Sequence, residues 1–60
     1  MNPTIKEQLL AIRDSGETNM FDVPVVMAIA FREGYTELLT YIENHKLDYV
    51  HFILTGEEKN

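Results

Sequence analysis

Apolar residues recur along this chain at the three- and four-residue spacing of amphipathic helices, and the recurrence is interrupted at Gly16, Gly34 and Gly56. Ile5, Leu9 and Ile12 share one helical face with Leu10 beside them, while Lys6, Glu7 and Arg13 point away. Two starts compete for this first helix. Thr4-Ile5-Lys6-Glu7 has the spacing of a capping box, in which each end residue satisfies an orphan amide of the first turn. Asn2 before Pro3 offers a start one turn earlier, because proline suits the first helical position. Asp14-Ser15-Gly16 is a stop, with Gly16 suited to the left-handed residue after a helix. The pattern predicts a helix from Pro3 to Asp14.

After a short loop over residues 17–21, Asp22 reads as an N-cap, with Pro24 tolerated in the first turn because its missing amide proton has no helical partner there. Phe21 and Val26 have the spacing of a hydrophobic staple. Val23, Val26, Met27, Ala30 and Phe31 form one apolar stripe, which Val25 and Ile29 widen. A helix apolar on nearly all sides is expected at the centre, covered by the others. The spacing predicts it over residues 23–33, ended by Gly34.

Thr36 is placed to cap a third helix over residues 36–44, with Glu37 near its positive end and Tyr35, Leu38, Leu39 and Ile42 facing inward. Asn44-His45-Lys46 is open to two readings. Either the chain breaks there, Asn44 capping a fourth helix over residues 46–55, or one helix runs from Thr36 to Thr55 and is about 30 Å long. So long a helix would need a partner, and the packing of a small domain favours the break. Tyr49 to Leu54 is rich in strand-favouring residues, yet no second strand-like run exists to pair with it. A helix stopped by Gly56 is therefore predicted, a strand being feasible only across a dimer. The expected fold is all-α: a small array of three to four short helices in one domain over residues 1–56, with a mobile polar tail over residues 57–60.

Sixty residues allow one domain, and 45% hydrophobic content suits a packed core. No cysteine is present, so disulfides and thiolate zinc sites are excluded; a reducing, cytoplasmic location fits. The apolar run from Val25 to Phe31 is far shorter than the roughly 20 residues that span a bilayer. Met1-Asn2-Pro3-Thr4 has no signal-peptide pattern. The net charge of −5, spread from Glu7 to Glu58, argues against nucleic acid and against an anionic membrane as partners. It is too scattered for a DNA mimic.

Candidate chemistry is sparse. Asp48-x-x-His51 has the spacing of one arm of a carboxylate-bridged metal site, but the helical stripes supply no further inward carboxylate, and a half-buried histidine is the simpler reading. Ser15, the single serine, sits where turns favour serine for backbone reasons. The three glycines are too far apart to cradle a phosphate. No catalytic residue, cofactor or metal ligand is assigned. Asp22 to His45 has the outline of a helix-turn-helix, yet the second helix would open on Tyr35, Thr36 and Glu37, where DNA readers need cations and amides. A dimeric regulator of that type is the alternative function.

What the core cannot easily hide is more informative. Met20, Phe21, Tyr41, Tyr49, Phe52 and Ile53 are large side chains left over once the stripes are filled; most are expected in the core or at its edge, and an exposed subset would mark contact with another protein. Tyr49 to Leu54, with Tyr41, is the segment through which a homodimer is expected.

The stretches IKEQLLAIRDSGETNMFD, REGYTELLTYIE and YVHFILTGE resemble a family of very short proteins of phages and prophages of Gram-positive bacteria, a domain of unknown function. Arg13 to Asp22 is the most distinctive run, and Val23-Pro24-Val25 is less typical. The resemblance covers nearly the whole chain, which implies a complete phage-encoded protein acting inside a bacterium, and it supplies no catalytic residues. The expected function is a non-enzymatic accessory protein that binds another protein through a helical surface, for instance to inhibit a host or defence factor.

Overall fold

A computed structural model describes residues 1–56 and contains four helices, α1 (Pro3–Ser15), α2 (Val23–Arg32), α3 (Thr36–Asn44) and α4 (Lys46–Thr55), with no strand among those residues. The break at residues 44–46 is real, and Tyr49–Leu54 is helical. The expected tail over 57–60 lies outside the described residues.

The caps differ in detail from those expected. The earlier of the two starts wins for α1: Asn2 Oδ1 accepts from the Ile5 amide at 2.8 Å and Pro3 is the first helical residue, so Thr4 lies inside the helix. Asp22 holds the N-cap position of α2, but its side chain makes no capping bond. The turn before it is closed by Asn19, whose Oδ1 accepts from the Phe21 amide at 2.8 Å. Thr36 is not the cap of α3 but its first residue. The orphan amide of Leu38 instead donates to Gln8 Oε1 at 3.1 Å, a side chain thirty residues away on α1. Asn44 likewise does not cap α4. It ends α3 and turns back to donate to the Thr40 carbonyl at 3.0 Å, leaving His45 as a one-residue joint.

Between α2 and α3 the chain turns through Gly34 at φ 75°, which an L side chain would adopt only with strain. Tyr35 N–H reaches the Ala30 carbonyl at 2.8 Å and Gly34 N–H the Phe31 carbonyl at 3.2 Å, a Schellman closure.

The core is one cluster: Ile5, Leu9 and Ile12 from α1, Met20, then Val23, Val26, Ile29 and Ala30 from α2, Leu38 and Ile42 from α3, and Tyr49 and Phe52 from α4. The helix at its centre is α3, which packs on all three others, and not α2, which touches only α1 and α3. The inward stripe of α2 is also rotated, toward Ile29 and away from Phe31, which is 77% exposed. Of the two residues at staple spacing, Val26 is buried while Phe21 is 50% exposed. An apolar helix with no polar side carries nothing in its own sequence to fix its rotation. Contact with α1 and α3 fixes it.

Candidate functional site: an apolar helix face and a neighbouring groove

Of the six residues singled out as interaction candidates, five lie in the core or at its edge and one is exposed. Met20, Tyr49 and Phe52 are buried, Phe21 is exposed, and Tyr41 and Ile53 pack half-buried at the edge of the core. Tyr49 is wholly inside, and its hydroxyl donates to the Met20 carbonyl at 2.8 Å, fastening the α1–α2 loop to α4. Burial pushes its pKa up to about 12. Of the strand-like run, Leu54 remains 68% exposed.

Leu47 at the start of α4 is 83% exposed, and a further apolar surface lies on α2. Pro24, Val25, Ala28 and Phe31 repeat at helical spacing on the side opposite Val23, Val26 and Ala30, and all four are exposed. Phe21 precedes them at the entrance to the helix. This outward face bears no polar residue until Arg32. The sequence signal was present, in a helix without a charge before its last residue, but it was read as complete burial.

Charge borders this face. Arg32 at its end is gripped by Glu17, with Nη2 to Oε2 at 2.7 Å and Nη1 to Oε1 at 3.0 Å, while its Nε donates to Glu33 at 3.0 Å. The guanidinium holds the Glu17 carboxyl below the usual carboxylate range. At the other end stands Asp22, exposed and without a side-chain capping bond. The border of the apolar face is therefore net acidic.

At Met20 the surface becomes concave. An open groove of about 310 Å³ runs between α1 and α4, floored by Leu9, Met20, Phe52 and Ile53 and flanked by Lys6 and Arg13. Lys6 Nζ lies 5.7 Å from the centroid of the Phe52 ring. A second, more open groove of about 400 Å³ lies between the start of α1 and α3, where the Tyr41 and His45 rings lie 5.3 Å apart.

Signs of chemistry are few. Among the described residues no three histidine, aspartate or glutamate side chains gather as a metal site would require. His51 is half-buried, and the Asp48 carboxylate lies 3.7 Å from His45 Nδ1. No charged side chain is buried among these residues, and no buried side-chain polar atom lacks a partner. None of the described helices is long and apolar enough to cross a membrane. In the helix-turn-helix outline formed by α2 and α3, the exposed start of α3 presents Thr36 and Glu37.

These features define a small all-α domain whose distinctive surface is an apolar helix face with an acidic border. The chain belongs to the family described as Domain of unknown function (DUF5049), whose model matches residues 1–57. No curated protein and no solved structure matches it.

Proposed function

We propose that this is a non-enzymatic protein that works by docking the outer face of α2 onto a different protein, in the manner of a helix laid in a groove. The observation that carries this reading is the exposure of Pro24, Val25, Ala28 and Phe31 on a helix with no polar residue on that side before Arg32. Apolar faces of this kind are disfavoured in water unless a partner covers them. A concave apolar surface with a cationic border is the complement, since Asp22, Glu17 and Glu33 surround the face and the chain carries a net charge of −5. The resemblance to phage and prophage proteins supports a setting in the bacterial cytoplasm, with inhibition of a host or defence factor as the consequence of docking.

The test is photo-crosslinking in producing bacterial cells from a benzophenone amino acid at position 31. A discrete adduct with another protein is expected from position 31, absent when the same group replaces the exposed Glu43 on α3, and lost when Val25→Asp is added. Equal labelling from both positions, or none from position 31, would refute the reading.

A further inference from the structure

We infer that the groove between α1 and α4 is a binding site for an aromatic side chain followed by a carboxylate, and that the Phe21-Asp22 pair of a second copy of this chain fills it. This goes beyond the docking of α2, because the groove is a separate surface and Phe31 stays free, although Asp22 also borders the α2 face. Three observations converge on it.

The first is the chemistry of the groove. Its lining is apolar, with half-buried Leu10 and Ile53 at the surface over the buried Leu9, Met20 and Phe52, and both cations at its border come from α1. Four cations stand among the described residues of this acidic protein, and two of them flank this one groove. Lys6 has no carboxylate partner among the described residues, and Arg13 has only its exposed neighbour Asp14 at 3.3 Å. An apolar floor whose border carries Lys6 without a carboxylate partner, and Arg13 with only an exposed one, selects an apolar group carrying a negative charge. At about 310 Å³ the space suits a single large side chain better than a folded surface.

The second is that the chain itself carries such a group. Phe21 is 50% exposed, the next residue is the exposed Asp22, and the Asp22 side chain is not used to cap α2. A ring and a carboxylate on successive residues match the floor and border of the groove.

The third is position. Met20 forms part of the groove wall and Phe21 follows it directly, so ring and groove adjoin in the chain. Adjacent complementary surfaces allow a two-fold axis to place each copy's ring in the other's groove, closing the assembly at two. The contact is small against the roughly 1,200–2,000 Å² of stable interfaces, so the pair is weak and exchanges readily.

Sedimentation equilibrium on the full chain tests this. The average mass should rise from 7.0 kDa at about 10 μM toward twice that value near about 1 mM, as a small interface would allow. Phe21→Ser, Lys6→Glu and Asp22→Lys each change an exposed residue and should each weaken association about tenfold while helical circular dichroism is retained. Mixing K6E with D22K should restore pairing, because each groove then meets the opposite charge. A wild-type chain that stays at 7.0 kDa near 1 mM overturns the proposal. So does a dimer indifferent to these substitutions, or charge variants that fail to pair when mixed. Phe31→Glu separates the two readings: it should abolish docking to the other protein and leave the self-pairing constant unchanged.

Discussion

Tyr49 shows how much one side chain does in a domain of this size. Its ring fills the core with no exposed surface, and its hydroxyl satisfies the Met20 carbonyl across 29 residues. Tyr49→Phe keeps the ring but strands that carbonyl, so a loss of about 1–2 kcal/mol is expected in urea unfolding. The same hydroxyl makes stability depend on alkaline pH. The folded chain holds its proton up to about pH 12, whereas the unfolded chain releases it near pH 10. Stability should therefore be intact below pH 10 and fall by on the order of 3 kcal/mol as pH rises to about 12. In Tyr49→Phe this fall should be absent, which unfolding midpoints across the range would show. The sequence identified Tyr49 as a large apolar group in excess of the core. Its hydroxyl partner lies in a loop, and no periodicity reports on such a contact.

Among the elements, α2 was legible in extent and wrong in orientation. Its boundaries follow from local signals, but its rotation places Ile29 inside and Phe31 outside. Ile29→Asp buries an uncompensated carboxylate and should unfold the domain, whereas Phe31→Asp changes a side chain already 77% exposed and should shift stability by no more than about 0.5 kcal/mol. Thermal melts of the two variants check this directly, and equal loss would return Phe31 to the core. The cap of α3 is a similar case. Gln8 does from another helix what Thr36 was expected to do locally, so Gln8→Ala should cost about 1 kcal/mol and Thr36→Ala much less.

The whole molecule is organised around α3. Its neighbours in sequence join it through a three-residue turn and a single-residue joint, and Gln8 ties α1 to its start. Leu38 is fully buried there, and Leu38→Ala should cost roughly 3 kcal/mol, most of the net stability of so small a core. Net charge acts at the same scale. With −5 overall and Glu37 at the exposed start of α3, duplex DNA should bind weakly or not at all near physiological salt. Sub-micromolar, sequence-selective binding in fluorescence anisotropy would restore the regulator reading.

The sequence by itself determined the first two helices, a third beginning near Thr36 and the stops at Gly16, Gly34 and Gly56, because helix periods and left-handed turns are local properties of a few adjacent residues. It also placed Ile5, Leu9, Ile12, Leu38 and Ile42 inside, since on α1 and α3 polar residues mark the outer side. The break before α4 and the helical state of Tyr49–Leu54 stayed open in the sequence, and tertiary packing decided both. Tertiary structure decided which helix is central, which way α2 turns, and which of the leftover aromatics reach the surface. Each of these depends on competition between apolar faces for a shared interior. On α2 every face is apolar, so only the shapes of α1 and α3 could choose between Ile29 and Phe31, leaving Phe31 and its neighbours facing water.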